Sequence, residues 1–209
     1  DYLLMTGAGA YWHDRDLLNA SLSEYKSISI ADVTQDLATL LVTGPKSPAI
    51  LAAVTSKTTS IEDFPWLSHQ KVRIAGSEVT AIRVSYAGEA GFELHCNMGD
   101  VVSVYDSVVA AGVVHQLRPF GMLALDSMRL EKGYRSWKAD LTSDYTMLES
   151  GLGRWVNFNK EDFVGRTALQ SENQAGSGRE FVTLVLDDPE DDGPFGEAVY
   201  LSSVVIDGA

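Results

Sequence analysis

The sequence predicts an α+β fold, on three observations. Apolar and polar residues alternate over 79–86, Gly88 and Gly91 turn the chain, and a second strand pattern follows at 92–96, which is the signature of a β-hairpin. Residues 100–111 set Val101, Val104, Tyr105, Val108 and Val109 along one stripe, the spacing of an amphipathic helix. Strand-like and helix-like segments of these two kinds then recur along the chain.

In order, residues 2–6 read as a strand, 7–10 as a turn, and 11–25 as a helix with Trp12, Leu17, Leu18 and Leu22 at near-helical spacing. This β-turn-α start contains Gly7-Ala8-Gly9, but Trp12 stands where a dinucleotide fingerprint needs its third glycine, so the spacing argues against nucleotide binding. Residues 28–33 and 36–42 read as a strand pair, 48–55 as a short helix, and 72–75 with 79–85 as a hairpin. In the strand at 92–96, alternation puts Ala90, Phe92 and Leu94 on one face and Gly91, Glu93 and His95 on the other, so Glu93 projects from a rigid backbone.

Asp100 opens the amphipathic helix and Gly112 stops it. Pro119 fits the first turn of the next helix, which carries Met122, Leu123, Leu125, Met128 and Leu130 and presents Arg129 near its C-terminal end before Gly133. Residues 134–151 have no period and read as a loop, a common carrier of binding groups on a rigid scaffold. Residues 165–173 read as a helix and Ala175-Gly176-Ser177-Gly178 as a linker; 181–186 and 198–206 then read as strands around an acidic loop at 187–197. The expected division is one domain at 1–174 and the start of another at 179–209.

Composition narrows the function. A chain of 209 residues with 45% hydrophobic content can bury a substantial core. Its longest apolar runs, 37–42 and 101–114, are too short and interrupted to span a membrane, and the N-terminal residues lack the pattern of a secretory signal. The expected setting is cytoplasmic, or the mitochondrial matrix in a eukaryote. Cys96 is the single cysteine, which excludes an internal disulfide and a multi-thiolate zinc site, and its strand position suits an inert core thiol. The net charge of -13 argues against nucleic acid as a partner. Between Arg118 and Arg154, however, six basic residues meet five acidic ones, a locally positive segment in an acidic protein and a suitable place for an anionic ligand.

That segment and the hairpin hold the motifs. The pattern Tyr-x-Gly-Glu-x-Gly-Phe-Glu begins at Tyr86, Arg-Leu-Glu at Arg129, and Leu-Glu-x-Gly-Leu-Gly at Leu148. In this order they resemble the folate-binding domain of the glycine-cleavage T-protein aminomethyltransferase superfamily. Gly133 to Leu141, with Trp137 where T-proteins usually carry tyrosine, is more similar to the C-terminal region of FAD-dependent dimethylglycine and sarcosine dehydrogenases. The resemblance implies ferredoxin-like elements in a T-protein-like fold, followed by the start of a small C-terminal β-barrel.

It also implies a cofactor, tetrahydrofolate, and a one-carbon unit derived from a methylated amine. The second glutamate of the motif, Glu93, would accept paired hydrogen bonds from the pterin edge, and Tyr86 would lie against the ring. Arg129 is implicated in the pocket through its planar guanidinium, and Trp137 as a lining ring. Read without the resemblance, Glu93 is an exposed strand carboxylate or an ion-pair partner of Arg83, Tyr86 a core ring, Arg129 an intrahelical partner of Asp126, and Trp137 a loop anchor. The family's catalytic aspartate is expected upstream of Asp1, as is a covalently linked flavin (FAD) domain, so no catalytic residue is named within the chain and the chain alone is expected to be inactive in one-carbon transfer. A free-standing T-protein and a non-catalytic folate-binding scaffold or sensor remain alternatives. His13, His69, His95 and His115 lack metal-ligand spacing, and no nucleophile-elbow or phosphate-loop motif is present.

Overall fold

A computed structural model of the chain describes residues 2–55, 64–184 and 205–207. At its centre lie four strands, β1 (Leu37–Thr43), β2 (His69–Ile74), β3 (Ser77–Ile82) and β4 (Gly91–Asn97). They form one antiparallel sheet in the order β1-β4-β3-β2. Helices α2 (Ser47–Val54) and α3 (Val101–Gly112) lie side by side on one face. This antiparallel sheet with helices on one face is the α+β arrangement that the alternating strand and helix patterns predict.

The core sits between those two helices and the sheet. On β4 the alternate residues Phe92, Leu94 and Cys96 are buried, joined by Val72 and Ile74 from β2, Val79 and Ala81 from β3, Ile50 and Leu51 from α2, and Val104 and Val108 from α3. The register places Leu40 and Ala81 on either side of Leu94, which is fully buried. Burying a leucine of this kind stabilises the fold by roughly 2 kcal/mol. Cys96 is the inert thiol expected of it: burial, and then the nearby Asp100 carboxylate, push its pKa up.

The hairpin loop between β3 and β4 is tied down at both ends. The Ala90 carbonyl accepts hydrogen bonds from the Gly44 N–H at 2.8 Å and the Ser47 hydroxyl at 2.9 Å, fastening the loop to the start of α2. Gly88, at φ +76, lies so close to Lys132 that a Cβ there would come within 2.6 Å of the lysine Cγ. Both the left-handed backbone and the close approach require glycine.

Beyond the sheet, α1 (Tyr11–Leu22) precedes β1, α4 (Met122–Glu131) follows α3, and α5 (Arg166–Ala175) leads to the short antiparallel pair β5 (Arg179–Phe181) and β6 (Val205–Asp207). Strand β5 is secured by Arg179, whose guanidinium reaches both carboxylate oxygens of Glu149 at 2.8 and 3.2 Å. The Glu149 pKa is lowered, first by the Thr146 backbone N–H and then by Arg179. The glutamate of Leu-Glu-x-Gly-Leu-Gly therefore acts as a structural clasp.

Several expected elements differ. Residues 2–6 and 28–33 form no strand, because no neighbour among the described residues offers them a ladder; β1 pairs with β4 instead of with 28–33. The helix expected at 11–25 ends at Leu22, and its apolar stripe is only partly covered, Trp12 and Leu17 being exposed and Leu18 and Leu22 half-buried. Strand β3 stops at Ile82 and not near residue 86, since the Val84 N–H turns back to the Ile82 carbonyl at 3.0 Å. Pro119 lies outside α4, whose N-cap is Gly121 in extended conformation, and Gly112 is the last residue of α3. The first C-terminal strand ends at Phe181, while the acidic loop at 187–197 and most of the strand at 198–206 lie outside the described residues. No helix among the described residues is long and apolar enough to cross a membrane.

The packing makes a direct prediction. Leu94→Ala should lower the unfolding free energy by about 3 kcal/mol, as expected for a buried leucine with little room to collapse. Urea denaturation followed by circular dichroism measures it, and a change below about 1 kcal/mol would contradict the placement of Leu94 at the centre of the core.

Candidate functional site

The second face of the sheet, opposite α2 and α3, carries the residues of other parity. On β4 these are Gly91, Glu93 and His95, flanked across the ladder by Thr43, Leu41 and Thr39 of β1. The Glu93 side chain keeps 35% of its exposure, and its hydrogen-bond partner is His95, with Oε2 3.1 Å from Nε2. The His95 ring is itself buried, and its Nδ1 lies 3.0 Å from the Thr39 hydroxyl. Glu93 Oε1 has no protein partner among the described residues. Arg83, the alternative partner for Glu93, sends its guanidinium to the Phe64 carbonyl at 2.6 Å.

Near the same end of β4 the hairpin loop brings in the aromatic part. Ser85 lies over Gly91 and bonds to Thr43 at 2.9 Å, so Ser85 is two strand positions from Glu93, roughly 7 Å of strand rise, and Tyr86 is the next residue of the loop. The Tyr86 ring is stacked on Tyr134 with centroids 6.1 Å apart and planes 15° from parallel. Its hydroxyl donates to the Arg135 carbonyl at 2.7 Å. Burial pushes the Tyr86 phenol pKa up, so it remains a neutral donor at ordinary pH.

Arg129 holds this part together. Helix α4 ends in a Schellman turn: Gly133, at φ +70, donates to Leu130, and the Tyr134 N–H donates to the Arg129 carbonyl at 2.8 Å. The guanidinium of Arg129 is buried within this turn. Its Nε donates to Asp126 at 2.6 Å, and one terminal nitrogen donates to the Tyr134 carbonyl at 3.0 Å and to the Asp140 carboxylate. Asp140, also buried, accepts the Ser136 N–H at 2.8 Å, closing the loop 136–140 on itself. Burial opposes the Arg129 charge, but the Asp126 and Asp140 carboxylates outweigh it and hold the pKa above the usual arginine value.

The four residues singled out from sequence therefore stand in different situations. Tyr86 and Arg129 share one network; Glu93 lies on the adjoining sheet face; and Trp137 projects from the 136–140 loop, 55% exposed, with its backbone bridged to Leu141. The intrahelical pair of Arg129 with Asp126 is present. Sequence reading left Asp140, Tyr134 and the Thr39–His95 pair unremarked. The alternation that exposed Glu93 also put His95 on its face, whereas nothing local marks Asp140. A cleft of ≈ 710 Å³ between β1, α2, α3 and residues 115–122 contains none of the four. No cluster of His, Cys, Asp or Glu suited to a metal ion occurs among the described residues.

Because Arg129 and Asp140 are both buried, removing one charge strands the other. Asp140→Asn should cost about 3 kcal/mol, toward the low end for a broken buried pair because Asp126 remains, and should speed amide exchange over 134–141. Asp126→Asn, at the more exposed partner, should cost about 1 kcal/mol. Equal losses from the two variants in urea denaturation would refute the central place given to Asp140.

The arrangement has relatives. The GCVT N-terminal domain model matches residues 1–160. The chain is 33% identical over 208 residues to human mitochondrial dimethylglycine dehydrogenase, covering 99% of this chain and 24% of that protein. It is 40% identical over 189 residues to human mitochondrial sarcosine dehydrogenase, covering 90% and 20%. The aminomethyltransferase of Caldanaerobacter subterraneus subsp. tengcongensis is 34% identical over 181 residues, covering 87% and 48%. The chain thus spans a fifth to a quarter of the two dehydrogenases and about half of the aminomethyltransferase. Among solved structures, glycine cleavage system aminomethyltransferase T from Bartonella henselae superposes with a TM-score of 0.70 at 23% identity, over 84% of this chain and 46% of that one, a likeness of fold. With the match running from the first residue through the hairpin, Arg129 and the 134–151 loop, this chain belongs to the GCVT N-terminal domain family and is related to both the dehydrogenases and the aminomethyltransferases.

Proposed function

We propose that the chain is the tetrahydrofolate-binding, one-carbon-transfer part of a flavin-dependent dehydrogenase acting on an N-methylated glycine of the dimethylglycine or sarcosine type. In this reading residues 1–174 form the folate-binding unit and 179–209 begin a C-terminal barrel. The observation that carries the proposal is Glu93: an acceptor-only carboxylate on a rigid central strand, with one oxygen engaged by His95 and the other without a partner among the described residues. A reduced pterin presents adjacent N–H donors on one flat edge, the complement of such a group.

The residues present fit that ligand. Glu93 would read the edge, Tyr86 and Tyr134 would offer a preformed aromatic surface beside it, and Trp137 a further exposed ring. Arg129 would support the site from beneath, since its donors already hold Asp126, Asp140 and the Tyr134 carbonyl. Bound tetrahydrofolate would supply the N5 and N10 nucleophiles that take up a formaldehyde-level carbon, giving 5,10-methylenetetrahydrofolate. The chain's own residues would contribute binding and orientation, which convert an encounter into a positioned reaction. The flavin is assigned to sequence outside this chain, and no described residue is given a role toward it.

Coverage of 99% of the chain by a dimethylglycine dehydrogenase, together with Trp137 in place of the T-protein tyrosine, favours the dehydrogenase reading. The 34% identity to an aminomethyltransferase supports the second reading, in which the same folate surface serves a glycine-cleavage T-protein.

Calorimetric titration of the full-length polypeptide with tetrahydrofolate tests the site. Glu93→Gln should weaken binding about tenfold to hundredfold, the worth of charge-assisted hydrogen bonds. Unchanged affinity in that variant would remove the basis of the proposal. Oxidation of dimethylglycine or sarcosine with an artificial electron acceptor then separates the dehydrogenase from a T-protein, which would show no such turnover.

A further inference from the structure

We propose that His95 is a positioning residue for Glu93, forming with Thr39 a fixed chain, Thr39–His95–Glu93, that orients the carboxylate for its ligand. The inference rests on the reading of Glu93 given above. Three features carry it.

The first is geometry. Thr39 Oγ1 lies 3.0 Å from His95 Nδ1, and His95 Nε2 lies 3.1 Å from Glu93 Oε2, so both ring nitrogens are engaged. Thr39 stands directly opposite His95 across the β1–β4 ladder, and His95 is two residues from Glu93 on one sheet face. All three positions are set by backbone register.

The second is burial. His95 is 8% exposed, whereas the Glu93 side chain is 35% exposed. The ring is packed in place at the strand level, and the carboxylate extends from it toward solvent. Glu93's own cross-strand neighbours are Leu41 and Ile82, which have no hydrogen-bonding side chain. His95 is thus the neighbour on that face whose hydrogen bond holds the carboxylate.

The third is hydrogen-bond polarity. An ionised carboxylate only accepts, so Nε2 must carry a hydrogen. In the neutral ring Nδ1 then accepts, and the Thr39 hydroxyl, able to donate, supplies that hydrogen. The chain is complete with no proton added, and among the described residues it leaves Glu93 Oε1 without a partner and available to a ligand. A glutamate otherwise free to rotate about three bonds is held in one orientation before binding, which removes an ordering cost from association.

The test is a double-mutant cycle on the full-length polypeptide, read by calorimetry with tetrahydrofolate. His95→Leu should weaken binding about tenfold, and Thr39→Val about threefold, by removing first the anchor and then its support. His95→Gln, whose amide N–H can still donate to Glu93, should recover most of the loss. In a Glu93→Ala background, His95→Leu should add little, because the group it positions is gone. Equal weakening by His95→Leu in both backgrounds, or no recovery with His95→Gln, overturns the positioning role. Should His95→Leu fail to fold, Thr39→Val in the two backgrounds decides by the same criterion. If Glu93→Gln alone leaves affinity unchanged, the folate reading fails, and that outcome is distinct from a failure confined to His95.

Discussion

The structure depends on β4, a strand paired along both edges and required to do different work on its two faces. Phe92, Leu94 and Cys96 close the core against α2 and α3, while Gly91, Glu93 and His95 look the other way. Side chains alternate strictly along a strand, so a slip of one residue would expose the core and bury Glu93. The carboxylate inherits its direction from the cost of moving Leu94. Hydrophobic packing on one face therefore supplies rigidity to a polar group on the other.

The second constraint is the buried Arg129. A guanidinium removed from water is destabilising unless its donors are met, and here Asp126, Asp140 and the Tyr134 carbonyl meet them. The consequence is geometric as much as energetic. Tyr134, Ser136 and Asp140 are drawn to one point, so a stretch with little regular structure acquires a defined course, and Tyr134 is set under Tyr86. Arg135 extends the same stretch to β5 by stacking over Phe181 at 4.3 Å. Loop and hairpin meet through the Tyr86–Tyr134 stack and the Tyr86 hydroxyl on the Arg135 carbonyl.

Much of the central fold was legible in the chain. The hairpin, the helix over 101–112 and the unstructured 134–151 loop follow from periodicity and glycine placement, because burial of one face imposes a period. The segments at 2–6 and 28–33 show where that logic ends. Their composition suits strands, but a strand exists only where another backbone offers its hydrogen bonds, and β1 found β4 rather than its own sequence neighbour. Pro119 likewise suited a first helical turn, yet the backbone at Gly121 is extended and α4 begins beyond it.

The site divides in the same way. Sequence alone determined that Glu93 and His95 share a face, that Cys96 belongs to the core, and that Tyr86, Arg129 and Trp137 sit in motifs of a recognisable family; each is a matter of local spacing or of motif order. Tertiary structure decided which polar groups are already engaged and which remain open. Arg129 reads as a free fork until Asp140, eleven residues on, is folded beneath it, and His95 acquires its partner Thr39 only through pairing across 56 residues. Hydrogen bonds between distant positions leave no local period, so the chain can announce a donor or an acceptor but only the folded molecule determines whether it is already satisfied.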